Sequence, residues 1–230
     1  MYCGDSKIKK KVTLILAAAG VGKRMGLGYP KQFLEHKGKP LFIFPLEVAQ
    51  SSEIVDDIII STNHDNVDIV KKYCEKYGID KVRNVVAGGK ERQDSIYNAL
   101  EHDENSDIIL VQDGVRPFLK EKYIKECCDV IEKENCGAVI GVKVKDTIKV
   151  INDNGIVENT PKRDTLIAVH TPQGFSGDIL KAAYNRAKKE NFLGTDDSSL
   201  VERLGYKVKI VLGDYDNIKI TTQEDLTFLK

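Results

Sequence analysis

The 230-residue chain has no tryptophan, two methionines, six prolines and no net charge, because 35 Lys and Arg balance 35 Asp and Glu. That balance leaves no global field to draw in nucleic acid or a membrane surface, so anion binding has to come from local clustering. The apolar run near the N-terminus, Val12 to Ala19, is short for a signal core and far short of the roughly 20 residues a membrane-spanning helix needs. The five cysteines (Cys3, Cys74, Cys127, Cys128 and Cys136) are odd in number and show no C-x-x-C spacing. Three fall on expected helix core faces, so all are read as reduced small hydrophobes of a cytoplasmic protein rather than a disulfide framework. The four histidines (His36, His64, His102 and His170) show neither ligand spacing nor a neighbouring Ser or Cys nucleophile, which argues against a zinc site and a catalytic triad.

With 41% hydrophobic residues, the chain has material for one substantial core, and residues 1–230 are read as a single α/β domain. Short apolar runs, "VTLILA", "DIIIS", "KVRNVVA", "DIILVQD", "GAVIGV" and "YKVKIVL", alternate with helical patterns. That rhythm predicts a mainly parallel sheet flanked by helices on both faces. Ile124, Cys127, Cys128 and Ile131 mark one helix, and Val67, Val70, Cys74 and Tyr77, followed by Gly78, mark another. Thr221 with Glu224 predicts the cap of a last helix. From Gly141 to Arg163 the pattern switches to a period of two and contains "NDNG", which predicts a β-arm projecting from the sheet, with an ordinary antiparallel edge as the alternative.

Open α/β sheets bind ligands at the carboxyl ends of their strands. In "LILAAAGVGKRMGLGYPKQF" the first strand runs into a small-residue turn followed by Lys23, Arg24 and, after Pro30, Lys31. A Walker loop would need Gly at Ala17 and Ser or Thr at Arg24. A dinucleotide fingerprint would need Gly or Ala at Met25 and an acid after the second strand, where Ser61, Thr62 and Asn63 stand instead. What remains is either a concavity for several phosphates or a surface loop with solvated cations. In "DIILVQDGVRPF", Asp113 falls at the tip of a central strand on the same edge, placed to hold Mg²⁺ or to cap the next turn; Arg116 follows before Pro117. Gly88, Gly89 and Ser95 form a second strand-to-helix turn, suited to a base edge or to plain capping. Lys219 lies near Asp216, where an ion pair is the default expectation. A cation-rich site with one or two carboxylates and no general base suits a nucleophile that arrives ionised. A phosphate monoester, with a second pKa of about 6, is such a nucleophile.

The ordered segments "LAAAGVGKRMGLGYPKQF", "VAGGKERQDS", "VQDGVRPF", "VKVKDTIK", "TPQGF", "GTDDSSLVE" and "DNIKITTQEDL" resemble the 2-C-methyl-D-erythritol 4-phosphate cytidylyltransferase family from about Val12 to Leu229. The resemblance implies a Rossmann-like nucleotidyltransferase fold and transfer of a cytidylyl group from CTP to 2-C-methyl-D-erythritol 4-phosphate, with release of pyrophosphate, in the non-mevalonate isoprenoid precursor pathway. It implies Mg²⁺ or another divalent cation as cofactor. It implies transition-state stabilisation by Arg24 and Lys31. Arg163 and Lys219 would position the acceptor phosphate, with Arg116, Thr147 and Thr171 at further substrate positions. Ala18, Ala19, Gly20, Gly22, Gly89, Ser95 and Asp113 would hold the nucleotide, and Asp113, with Asp216 as a weaker candidate, the metal. It also implies a homodimer whose arms clasp, so that Thr147 and Arg163 serve the neighbouring subunit. Lys90 and Gln112 depart from the family pattern, where Asp and His are common. A ribitol 5-phosphate cytidylyltransferase and a non-catalytic nucleotide-binding protein are the rival readings.

Overall fold

The computed structural model describes residues 9–20 and 29–229. A seven-stranded sheet carries the fold. Its strands are β1 (Val12–Ala18), β4 (Asp57–Thr62), β5 (Val82–Ala87), β6 (Ile108–Asp113), β7 (Gly137–Lys143), β10 (Ile167–Ser176) and β11 (Val208–Leu212), and two short two-stranded sheets supply the missing numbers: β2 (Glu35–His36) with β3 (Lys39–Pro40), and β8 (Val150–Ile151) with β9 (Val157–Asn159). In space the large sheet runs β11-β7-β10-β6-β1-β4-β5. Every pairing in it is parallel except those of β10, which runs antiparallel to both β6 and β7.

The continuous apolar strands follow from burial on both faces. Leu14 and Leu16 of β1, Ile58 and Ile60 of β4, and Ile108 and Leu110 of β6 enter one core. It is closed by α1 (Ile43–Ser51), α2 (Val67–Lys76) and α4 (Glu121–Glu134). The alternate residues Ile15, Ile59, Ile109 and Val111 enter a second core under α3 (Arg92–Leu100), α5 (Gly177–Lys189) and α6 (Asp197–Arg203). The expected sandwich of helices on both faces is thus present. Cys74, Cys127 and Cys128 are buried in the first core, and burial pushes the Cys74 and Cys128 thiols up to about 12 and the Cys127 thiol higher still. Among the described residues no helix is long and apolar enough to cross a membrane.

Three expectations need correction. The six sequence-read strands miss β10, the longest strand in the described sheet, because "TPQG" reads as a turn; the Thr171–Pro172 peptide is cis, and the register with β7 shifts between Val169 and Gln173. The arm does not begin at Gly141: Gly137–Lys143 is sheet strand β7, and only the hairpin β8-β9 beyond it stands clear. A Cβ at Gly141 would lie 2.4 Å from Ile167 Cγ2, so this glycine serves strand packing and not arm flexibility. The last helix is a 3₁₀ segment, Glu224–Leu229, and the Asp225 carboxylate, one residue later than expected, accepts from the backbone N–H groups of Thr221 and Thr222 at 2.7 and 2.8 Å.

Candidate active site

β1 and β6 are adjacent and in register, Ala17 opposite Asp113, so the opening loop and Asp113 leave the same edge of the sheet. Two cavities meet there. The first, of about 390 Å³, is lined by Ala18, Ala19 and Gly20, by Lys31, by Gly89 and Ser95, and by Asp113 and Lys219. The second, of about 420 Å³, is lined by Arg116, Thr171 and Gln173, among others, and again by Asp113 and Lys219. Arg92 also borders both. Arg24 and Gly22 lie outside the described residues.

Local structure sets each wall. After Pro30 the chain turns through a short 3₁₀ segment, Lys31–Phe33. Gln32, buried, donates from Nε2 to Ala18 O at 2.6 Å, and Phe33 packs edge-on against Phe42 at 5.6 Å between centroids. These contacts tie the far end of the loop back to the tip of β1 and hold buried Lys31 at the cavity wall. On the opposite wall, Ser95 Oγ donates to Glu91 O at 3.0 Å and accepts from the Gly89 N–H at 3.1 Å. Ser95 is 2% exposed, so its hydroxyl and the Gly89 amide shape the loop and are already engaged with one another. The cap of α3 is Glu91, boxed with Asp94, so Ser95 does not cap the helix; from inside its first turn it ties Gly89 to the helix start and lines the cavity. Gly88 is required by contact: a Cβ there would lie 2.6 Å from Ala19 Cβ and 2.7 Å from Ser95 Oγ.

Asp113 is the electrostatic centre. Lys219 Nζ lies 2.8 Å from its Oδ2, Arg92 Nε 3.1 Å from Oδ1 and Arg116 Nε 3.7 Å from Oδ2. Its backbone N–H donates to Thr171 Oγ1 at 3.1 Å. Burial alone would raise the carboxyl pKa, but the charges of Arg92, Lys219 and Arg116 outweigh it and hold the group well below the usual carboxylate range. Asp113 is therefore an anion at neutral pH. Arg116 also donates from Nη1 to Asn217 O at 2.6 Å, and Asn217 Nδ2 donates to Thr171 O at 2.9 Å, which closes the second cavity beneath Asp113. His170 lines the same cavity; burial and the Arg116 charge push its ring down to about 4, so it is neutral.

The donor set fits a magnesium ion delivered with phosphate. Mg²⁺ takes one or two carboxylates and completes its shell from substrate oxygens and water, and Asp113 presents an ionised carboxylate to both cavities. Asp216 does not join it: its carboxylate pairs with Lys120 at 2.7 Å, is 60% exposed, and lines neither cavity. The same geometry corrects the expected Lys219–Asp216 pair, since Lys219 faces Asp113 instead. Thr147 and Arg163 are exposed and line neither cavity of their own chain; Arg163 Nη1 donates to Lys145 O at 3.2 Å. Gln112 is fully buried, and its Nε2 donates to Asp113 O at 3.2 Å. Lys90 lines the first cavity and is exposed.

Arg92, which the sequence reading left without a role, joins Asp113 to Asp197 through bonds of 3.0 and 2.8 Å to the two Asp197 oxygens. Both residues lie inside motifs that carried the resemblance, "VAGGKERQDS" and "GTDDSSLVE". Gln173 joins the same wall: it accepts from Ser198 N–H at 2.9 Å and donates to Asp196 Oδ2 at 2.9 Å, fastening α6 to β10.

Residues 12–230 match the family model described as IspD, 2-C-methyl-D-erythritol 4-phosphate cytidylyltransferase. Proteins of that name from Fusobacterium nucleatum and Geotalea uraniireducens are 55% and 46% identical to this chain. The first alignment covers 100% of both chains and the second 94% of both. A 4-diphosphocytidyl-2C-methyl-D-erythritol synthase structure from Anaerococcus prevotii superposes with a TM-score of 0.84 at 36% identity, over 96% of this chain and 95% of that one. The Thermus thermophilus 2-C-methyl-D-erythritol 4-phosphate cytidylyltransferase superposes with a TM-score of 0.78 at 26% identity, over 95% and 96%.

Proposed function

The chain belongs to the 2-C-methyl-D-erythritol 4-phosphate cytidylyltransferase family, and we infer that it transfers the cytidylyl group of CTP to 2-C-methyl-D-erythritol 4-phosphate and releases pyrophosphate. The observation that carries the reading is Asp113, ionised between Arg92, Arg116 and Lys219 where two cavities meet. One cavity, walled by the small residues after β1 and by the Gly88–Ser95 turn, suits a nucleotide; the other, walled by Arg116, Thr171 and Lys219, suits a polyol phosphate.

In this reading a phosphate oxygen of the acceptor attacks the α-phosphorus of CTP. The new O–P bond forms as the α–β bridging bond breaks, and its electron pair leaves on pyrophosphate. No protein base is required, because the acceptor phosphate is largely dianionic at neutral pH, with a second pKa of about 6. The protein's work is placement and neutralisation of charge. Lys31, with Arg24, stabilises the charge that builds at the α-phosphorus. Asp113 is the side chain suited to a divalent cation, which when bound supplies charge neutralisation on the triphosphate. Lys219 and Arg116 hold the acceptor phosphate, Thr171 completes that wall, and the tips of β1 and α3 enclose the cytidine through Ala18, Ala19, Gly20, Gly89 and Ser95.

The enzyme acts as a homodimer whose arms cross, with Thr147 and Arg163 delivered to the partner's acceptor cavity. Support for this part is the hairpin itself: Ile148, Val150, Ile151, Ile156 and Val157 are all 40% exposed or more, and an isolated two-stranded sheet does not bury or stabilise such a surface alone. The deciding experiment is pyrophosphate release from CTP with methylerythritol phosphate and with ribitol 5-phosphate offered separately. Turnover of the first alone is expected. Preference for the ribitol ester would replace the acceptor assignment, and CTP binding without turnover of either would leave a nucleotide-binding protein.

A further inference from the structure

Asp113's three cations differ in how firmly they are held. Lys219 sits on a flexible stem with its side chain 37% exposed, and among the described residues its ammonium meets no carboxylate other than Asp113. Arg116 is the most distant of the three, and its shortest bond is to Asn217 O. Arg92 is different. Its Nε meets Asp113 at 3.1 Å, while Nη1 and Nη2 form a two-pronged pair with Asp197 at 3.0 and 2.8 Å. Asp197 is fully buried at the start of α6, and its Oδ1 also accepts a short hydrogen bond from the hydroxyl of Tyr184 on α5. Burial, and next the Asp197 charge, keep the Tyr184 phenol well above its ordinary pKa, so it remains a donor. The fork fixes the plane of the guanidinium as well as its position.

An acceptor phosphate entering the second cavity competes with Asp113 for Lys219. If all three cations followed the incoming phosphate, Asp113 would lose its counter-charges together and its carboxylate would be free to turn. We propose that Tyr184 and Asp197 are positioning residues: they clamp Arg92 onto Asp113, so that Lys219 passes from Asp113 to the acceptor phosphate while Asp113 stays in place. This rests on reading the second cavity as the acceptor site.

Tyr184→Phe keeps the ring and removes the hydroxyl, and Asp197→Asn removes the charge. Loosening Arg92 leaves Lys219 as the main partner of Asp113, so both variants should raise KM for methylerythritol phosphate by about tenfold, on the scale of lost supporting contacts, while the CTP Kd by calorimetry stays within about twofold. In an Arg92→Ala background Tyr184→Phe should add nothing to the acceptor KM. A hydroxyl that merely stabilised the core would leave KM unmoved in every background, and an effect equal with and without Arg92 would also overturn the clamp. Asp197→Asn is expected to recover part of the thermal midpoint lost in Arg92→Ala, because it removes the unpaired buried charge. A second readout does not depend on turnover. In ¹⁵N-labelled protein titrated with inorganic phosphate, Lys219 Nζ should shift while Arg92 Nε holds still, and in Tyr184→Phe both should shift. If Arg92 Nε moves equally in both proteins the clamp is wrong, whereas absence of turnover in the unaltered enzyme with an intact phosphate response would overturn only the assigned reaction.

Discussion

Lys219 Nζ lies 2.8 Å from Asp113 Oδ2, joining the segment after β11 to the tip of β6 across more than a hundred residues of chain. The sequence places Lys219 near Asp216, yet the fold spends its charge on the carboxylate at the sheet's centre. In the free enzyme the pair keeps a cation stored where the two cavities meet.

Lys219→Ala is expected to weaken the acceptor more than the nucleotide. KM for methylerythritol phosphate should rise by roughly one to two orders of magnitude, as for loss of a charge-assisted contact, with a smaller change in CTP Kd. Steady-state kinetics with each substrate varied in turn checks this, and a loss confined to CTP would make Lys219 a nucleotide-binding residue and not an acceptor-binding one.

Lys31→Ala should lower kcat far more than it weakens CTP, because a contact strengthened as charge builds on phosphorus acts on the transition state. Equal losses in kcat and in CTP affinity would make Lys31 a ground-state binding residue only.

Asp113 contributes to stability in a pH-dependent way. Its folded pKa lies below the unfolded value of about 3.9, so its contribution is fully present above about pH 4 and is lost as pH falls towards the folded pKa. Denaturant unfolding of the unaltered protein and of Asp113→Asn should show a gap in stability at pH 7 that narrows on acidification below about pH 4. A gap constant across that range would mean that the Asp113 charge is not what stabilises the site.

Gly88→Ala introduces a Cβ within 2.6 Å of Ala19 Cβ and 2.7 Å of Ser95 Oγ. Overpacking of this kind costs about 1–3 kcal/mol. The variant should unfold at lower denaturant and bind CTP more weakly, since both sides of the first cavity must part to admit the methyl group.

The proposed crossing of the arms allows a complementation test. Lys31→Ala and Arg163→Ala homodimers should each be poorly active, and unfolding and reassembling them together should regain activity, because a mixed dimer holds one site with neither change. No gain on mixing, with mixed dimers demonstrated, would assign Arg163 to its own chain's site.

What the sequence revealed and what it hid divide by range. β1, β4 and β6 are legible because burial on both faces makes them unbroken apolar runs, and the edge that carries Asp113 and the opening loop follows from their parallel order. β10 was hidden because Thr171, Pro172, Gln173 and Gly174 look like turn residues; pairing on both sides with β6 and β7 overrides that local preference. Arg92 was passed over for another reason. By itself it is an ordinary polar residue in the first turn of a helix, and its meaning lies in Asp197, 105 positions along the chain. Asp216 misled in the opposite direction, since its nearness in sequence to Lys219 says nothing of Lys120, which takes its carboxylate.

The two cavities share Asp113, Arg92 and Lys219 as a common partition. A single inhibitor that straddles this partition, with a cytidine at one end and a phosphorylated polyol at the other, would engage both chambers for one loss of translational freedom. Its second half would bind at an effective concentration set by the tether, so its grip should exceed that of either fragment by orders of magnitude. The tether should be as short as the width of that wall.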